Sequence, residues 1–272
     1  MSLFHAIILG ITQGLSEYLP ISSSGHLVLV PWLFGWDDFA GQASLEKAFD
    51  VALHLGTLVG AVAYFRHDIV RLTKAALTKP RSKDGRLGWL VAISSVPAAV
   101  TGALLADTIE RNTNQIWLIG VMMIVGALLL ALADGVRGKR TIDEIGLPDA
   151  LAMGFAQAIA LQPGVSRSGV TITAGRFMGL GRDGAARFAF LMSLPITAGA
   201  LIFKWFDVQD QGGIPPGFGG PVICGIIASG ITGYIAVWGT LKLIRTHSFF
   251  PFVVYRLVLG VLILLLVALP FR

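Results

Sequence analysis

Six long apolar stretches occur along the chain. They are separated by short polar segments or by segments that proline, glycine and polar residues interrupt. They run from Phe49 to Phe65, Leu87 to Ala106, Ile116 to Ala133, Phe188 to Phe206, Val222 to Leu241 and Phe250 to Leu269. A membrane-spanning helix needs about 20 predominantly apolar residues, and these stretches approach or reach that length. The pattern therefore predicts six full transmembrane helices.

Two further segments are helical in pattern but too polar and too interrupted to span. Residues 3–34 are broken by Pro20 and a serine run, and residues 147–180 are broken by Pro163 and Gly164. Broken backbone at membrane depth is tolerated only where protein or a water-filled cavity surrounds it. We therefore expect two re-entrant helical hairpins, each of which enters the membrane and returns to the same side.

Composition and charge support a membrane protein. The chain is 54% hydrophobic and only 14% charged, with a mean hydropathy of +0.74, which excludes an ordinary soluble domain. Its net charge of +5 comes from basic residues that gather between spans, most densely from Arg66 to Arg86, as expected for cytoplasmic loops. Nucleic-acid binding is therefore not expected. The alternation of spans places the segments 107–115 and 207–221 outside the cell.

A short internal repeat relates the two broken segments. A shift of 144 residues places the run from Ser22 to Ser24 on the run from Ser166 to Ser168, with a proline shortly before each. Three full spans lie between the hairpins, and this odd number would give the two halves opposite orientations. We expect an all-α polytopic protein with an inverted-topology repeat, residues 1–146 and 147–272, forming one integral membrane domain with a site near the midplane.

The polar side chains of the hairpins form the candidate site. Arg167 carries a permanent charge and a fork of donors that can clamp a phosphate. Gln13 and Glu17 are four residues apart, share a helix face and offer oxygen ligands to a divalent cation. Ser23 is the favoured nucleophile, with Glu17 or His26 available as its base. His26 also suits proton transfer to the leaving phosphate or from attacking water.

A serine run at a helix N-terminus offers N–H groups and a positive dipole to an anion. The candidate phosphate-binding residues are Ser22, Ser24, Ser166, Arg167 and Ser168. Structural alternatives exist for each candidate, since serines pack membrane helices, Glu17 and Arg167 can form a purely structural ion pair, and a histidine can bond across helices.

Polar residues also occur within the predicted spans, among them Asp50, His54 and Arg256. Asp50 and His54, four residues apart in the first span, are expected to form an interhelical hydrogen bond rather than to line the site. Arg256, in the last span, is expected to pair with a neighbour or to extend its charge toward the interface.

The motifs Gln-x-x-x-Glu, Leu-Pro-Ile-Ser-Ser-Ser-Gly-His and Pro-Gly-Val-Ser-Arg-Ser-Gly resemble those of the bacitracin-resistance family of undecaprenyl-diphosphatases, along essentially the full chain. The resemblance implies hydrolysis of undecaprenyl diphosphate to undecaprenyl phosphate and inorganic phosphate. This reaction recycles the lipid carrier of peptidoglycan synthesis and confers bacitracin resistance. It also implies a multi-pass protein of the bacterial inner membrane, whose active site opens to the periplasm.

Carried onto this chain, the resemblance implies catalytic roles for Glu17, Ser23, His26 and Arg167. It implies a divalent cation, Mg²⁺ or Ca²⁺, at Gln13 and Glu17. Family members have glutamate at the first of these positions, whereas this chain has the neutral Gln13, so Glu17 must carry more of the metal binding.

Several alternatives stay open at the level of sequence. The nucleophile is Ser23, His26 or a metal-bound water. Inverted repeats and broken helices are also typical of secondary transporters, so a transporter or flippase of a lipid phosphate is the alternative function. The expected partners are the polyprenyl diphosphate and the bilayer, and a homodimer is a further option.

Overall fold

The computed structural model describes residues 1–39, 41–112, 115–210 and 217–269, so parts of both predicted outer loops lie outside the described residues. Ten α-helices occur in these ranges, and a short 3-10 helix, Ile142–Glu144, precedes α6. In chain order they are α1 (Leu3–Tyr18), α2 (Ser23–Phe34), α3 (Ala43–Thr78), α4 (Lys83–Asn112), α5 (Ile116–Asp134), α6 (Leu147–Ile159), α7 (Arg167–Phe177), α8 (Arg182–Asp210), α9 (Gly219–Leu243) and α10 (Phe250–Ala268).

Six of the described helices are long and apolar enough to cross a membrane. They are α3, α4, α5, α8, α9 and α10, and they coincide with the six apolar stretches of the sequence to within one residue or extend beyond them. The helices α3 and α8 extend well beyond their apolar stretches, because charged residues continue the helix into its polar flanks. The prediction of an all-α polytopic membrane protein with six spans is confirmed.

The segment 3–34 folds back on itself as a pair of helices, α1 and α2. His5, near the start of α1, places its Nδ1 atom 2.7 Å from Oδ2 of Asp38, just beyond α2. The His5 ring also stacks on Trp36 with ring centroids 3.8 Å apart. Both ends of the first hairpin therefore lie side by side.

The segment 147–180 folds back in the same way, and one arginine holds both of its ends. Arg140 donates to the two carboxylate oxygens of Asp149 at 2.8 and 2.7 Å, at the start of α6. It also donates to the carbonyl oxygen of Met178, just after α7, at 2.7 Å. Three spanning helices separate the hairpins, so the two open toward opposite ends of the bundle. Their insertion into the bilayer from opposite faces stays a prediction.

The turns of the two hairpins share an unusual backbone conformation. Ser22 and Ser166 have φ values of 78° and 72°, the only positive values among the described residues other than glycine. Such values are uncommon for residues that carry a side chain. Each serine also caps the following helix, accepting a hydrogen bond from the N–H of Gly25 or Gly169. The division into inverted repeats stays a prediction, and this matched geometry supports it.

Each hairpin packs against a spanning helix from the other half of the chain. The helix α1 lies along α9, and α6 lies along α4. Gly14 permits the first contact, because a Cβ atom added there would lie 2.6 Å from the carbonyl oxygen of Ser229. Small residues commonly allow such close approach of membrane helices. The interlocked halves thereby bring the two hairpin turns together inside the bundle.

Candidate active site

Glu17 lies at the centre of the candidate site. Its side chain is only 4% exposed, near the end of α1. Its Oε2 atom accepts hydrogen bonds from Nε2 of Gln13 at 3.0 Å and from the hydroxyl of Ser23 at 2.6 Å. Gln13 and Glu17 thus share a helix face, as their spacing indicates. The Pro20 turn brings Ser23, the first residue of α2, back to the carboxylate.

Arg167 approaches Glu17 from the second hairpin. Its Nη2 atom lies 3.5 Å from Oε1 of Glu17, and its Nη1 atom donates to Oγ1 of Thr197 in α8 at 2.5 Å. The Arg167 side chain is 29% exposed, which leaves part of the guanidinium accessible to a ligand. The structure therefore unites a carboxylate, a hydroxyl and a guanidinium from both hairpins, as the sequence led us to expect.

His54 lies beside the candidate site, where the sequence did not place it. Its Nε2 atom lies 3.7 Å from Oε2 of Glu17, across the contact between α3 and α1. Its Nδ1 atom lies 2.8 Å from the carbonyl oxygen of Asp50. A carbonyl can only accept, so Nδ1 carries a hydrogen and Nε2 faces the site. The polar pair at positions 50 and 54 in an apolar span was the available signal.

His26 is held away from this group of side chains. Its Nδ1 atom donates to the carbonyl oxygen of Ser22 at 2.6 Å, so the neutral ring presents Nε2 as an acceptor. The hydroxyl of Tyr255 lies 2.6 Å from that Nε2 atom and donates to it. Among the described residues, the ring nitrogens of His26 contact neither Glu17 nor Arg167. A role of His26 in proton transfer stays a prediction, and Tyr255 is a partner that the sequence did not reveal.

The hydroxyls of three candidate phosphate-binding serines form hydrogen bonds within or between the two hairpin turns. Ser22 and Ser166 cap α2 and α7, and Ser168 donates to the carbonyl oxygen of Leu19 at 2.9 Å, which links the two hairpins. Ser24 is half-buried in the first turn of α2. Phosphate binding by these serines stays a prediction. The free N–H groups at the starts of α2 and α7 lie in the same region.

Arg256 joins the two hairpin turns to α5. Its side chain is fully buried at 0% exposure, so it does not extend to the interface. No described carboxylate pairs with it either. The guanidinium instead donates to five backbone carbonyl oxygens, at 2.9 to 3.3 Å, which belong to Pro20, Met122, Met123, Gly164 and Val165. These bonds satisfy its donors in the interior and fix the position of one turn relative to the other.

The site has a limited set of oxygen ligands for a divalent cation. Oε1 of Gln13 is buried and has no hydrogen-bond partner among the described residues, so it is an unused acceptor beside Glu17. An amide oxygen and a carboxylate suit Mg²⁺ or Ca²⁺. The described residues contain no group of three histidine, cysteine or acidic side chains arranged to hold a metal ion. A cation here would need most of its ligands from water and phosphate oxygens.

The fold and these contacts define a polytopic helical membrane protein with a buried acid, serine and arginine site between two hairpins. The family described as "Bacitracin resistance protein BacA" matches residues 6–262 of the chain. The chain belongs to this family.

Individual relatives match almost the whole chain. An undecaprenyl-diphosphatase of Pelobacter propionicus is 49% identical over 267 residues, which covers 96% of this chain and 95% of that protein. An undecaprenyl-diphosphatase of Geobacter sulfurreducens is 47% identical over 268 residues, with 96% of each chain covered. A third, from Nocardioides sp., is 43% identical over 272 residues and covers 97% of this chain and 96% of its own.

Proposed function

We propose that this protein is an undecaprenyl-diphosphate phosphatase, which releases inorganic phosphate and leaves undecaprenyl phosphate. One observation carries the proposal. The Ser23 hydroxyl is hydrogen-bonded at 2.6 Å to Glu17, while Arg167 lies against the other oxygen of the same carboxylate. A hydroxyl bound to a base is an activated nucleophile, and a guanidinium beside it can neutralise phosphate charge.

In the proposed reaction, Ser23 Oγ attacks the terminal phosphorus and transfers its proton to Glu17. The bond between that phosphorus and the bridging oxygen breaks, and undecaprenyl phosphate leaves with the electron pair. Arg167 binds oxygens of the transferred group and stabilises their charge. Water then attacks the phosphoserine, which restores Ser23 and releases inorganic phosphate. Glu17 passes the Ser23 proton to the oxygen of the leaving undecaprenyl phosphate, then accepts the proton of that water and returns it to Ser23 Oγ as the phosphoserine bond breaks.

A divalent cation is part of the proposal. Gln13 Oε1 and the Glu17 carboxylate would hold it, and it would neutralise charge on the diphosphate when bound. The neutral amide at position 13 leaves only one anionic protein ligand. We therefore expect weak binding in the absence of substrate.

The proposed location is the bacterial inner membrane, with the site reached from the periplasmic side. The basic segment from Arg66 to Arg86 covers the end of α3 and the start of α4, which the charge rule places in the cytoplasm. The ends of the first hairpin lie at the opposite end of the bundle, where α3 begins. The long prenyl chain would stay in the bilayer while the diphosphate enters the site. A homodimer stays a prediction.

The proposal is tested with purified protein in detergent micelles and a polyprenyl diphosphate. We expect one inorganic phosphate and one polyprenyl monophosphate for each substrate consumed, with Mg²⁺ or Ca²⁺ required and a chelator inhibitory. Absence of phosphate release from folded protein would contradict it. Movement of a lipid phosphate across the membrane of proteoliposomes without hydrolysis would instead support the alternative function, a transporter or flippase.

A further inference from the structure

We propose that Thr197 is a positioning residue that holds the Arg167 guanidinium open for phosphate and prevents it from closing onto Glu17. This inference rests on the proposed phosphatase function. It concerns a residue of α8 that lies outside both hairpins and outside the sequence motifs.

Thr197 is well placed for this role. Its side chain is buried, and its Oγ1 atom accepts the short hydrogen bond from Nη1 of Arg167. Thr197 follows Pro195 by two residues within α8, a helix packed against α7, which carries Arg167. A β-branched side chain on a helix has few rotamers, so the acceptor is fixed in space. Arg167, by contrast, has a long and flexible side chain.

The contact between Arg167 and Glu17 is incomplete. The Nη2 atom of Arg167 lies 3.5 Å from Oε1 of Glu17. This distance allows electrostatic attraction but is long for a charge-assisted hydrogen bond. The strong form of this pair is bidentate, with two parallel bonds, and it is favoured where water is excluded. The hydrogen bond to Thr197 engages one N–H group of Nη1 and directs that nitrogen toward α8, while only Nη2 lies near Glu17.

A closed pair would disable the site in two ways. It would occupy the guanidinium donors that phosphate oxygens need. It would also reduce the basicity of the Glu17 carboxylate that accepts the Ser23 hydrogen bond. The hydrogen bond to Thr197 holds the Arg167 guanidinium near Glu17, so that the two charges stabilise each other. It also prevents a bidentate pair, which leaves guanidinium N–H donors for the substrate.

The test compares Thr197→Val with Thr197→Ser. Valine has the same shape without the acceptor, whereas serine keeps it. For Thr197→Val we expect KM for polyprenyl diphosphate, and the inhibition constant of inorganic phosphate, to rise by about tenfold, as for loss of one hydrogen bond to a charged group. The serine variant should stay within about twofold of wild type, since the acceptor is retained.

Thr173→Val is the matched control. Thr173 is a buried threonine of α7 whose hydroxyl donates to the carbonyl oxygen of Gly169, and among the described residues no hydrogen bond joins it to Arg167. Its loss should leave KM and phosphate inhibition unchanged. Equal defects in the valine and serine variants of Thr197 would indicate packing alone and overturn the inference, as would unchanged constants in Thr197→Val.

A binding measurement separates this inference from the proposed activity. Inorganic pyrophosphate should raise the thermal unfolding midpoint of wild type and of Thr197→Ser, and should raise that of Thr197→Val much less at the same concentration. This result is expected even if wild type releases no phosphate, in which case the proposed function fails while the positioning role stands. Equal stabilisation of all three proteins would overturn the positioning role.

Discussion

The Ser23 hydroxyl donates a hydrogen bond to the Glu17 carboxylate at 2.6 Å although the two residues belong to different helices. The contact exists because Pro20 and the positive φ of Ser22 reverse the chain between them. Backbone strain of this kind is often found at functional sites. In this protein, the turn brings the proposed nucleophile to its proposed base within six residues of sequence.

Replacing Arg167 with lysine should lower the turnover rate by about 100-fold despite retaining the charge. The lysine ammonium is a compact charge without the planar fork of arginine, so it cannot donate to Thr197 and to phosphate in the same way. Loss of one donor that stabilises the transition state typically lowers turnover by about 100-fold. The measurement is steady-state phosphate release. Arg245→Lys is the control, because Arg245 lies at the surface, where it pairs with Asp183. Near-normal turnover in Arg167→Lys would refute the assigned role.

Removing the hydroxyl of Tyr255 should loosen the first hairpin. In Tyr255→Phe, the Nε2 atom of His26 loses its donor, and the half-exposed aromatic ring stays in place. We expect the thermal unfolding midpoint and the activity to fall together, with a larger fall of both in His26→Ala.

The opposite pattern would favour the proton-transfer role predicted for His26. Loss of activity in His26→Ala with an unchanged unfolding midpoint would show that the ring contributes to chemistry rather than to the position of α2. The two variants are compared in the same detergent, so that the midpoints are comparable.

Replacing Gly126 with alanine should destabilise the protein. A Cβ atom at this position in α5 would collide with the Arg256 guanidinium and displace it from the carbonyl oxygens of the hairpin turns. We expect the unfolding midpoint to fall by about 5 °C, from typical costs of overpacking. Gly239→Ala in α9 is the control, because a Cβ there meets nothing within 4 Å. Equal midpoints for both variants would contradict the clamping role of Arg256.

The sequence indicated those features that depend on local pattern. Apolar runs locate the spans, and Pro20 and Pro163 mark the hairpin turns, because proline cannot continue a helix interior. The pairing of Glu17 with Arg167 followed from the short repeat and the odd number of spans between its copies. These inferences needed no knowledge of side-chain packing.

The remaining site contacts come from segments that are distant in sequence. His54, Thr197 and Tyr255 lie in three different spanning helices. Tertiary packing alone brings His54 to Glu17, Thr197 to Arg167 and Tyr255 to His26. The partners of Arg256 are backbone carbonyl oxygens. Every residue has one, so the residue types in the sequence could not identify these partners. Periodicity and composition contain no signal for such contacts.

The most direct test of the account is phosphate release by Ser23→Ala and Glu17→Gln beside wild type, with polyprenyl diphosphate, divalent cation and a chelator control. If Ser23 is the nucleophile and Glu17 its base, both variants should lose at least about 1,000-fold in turnover while unfolding at wild-type temperatures. Substantial turnover by Ser23→Ala would contradict the account and assign the attack to another group.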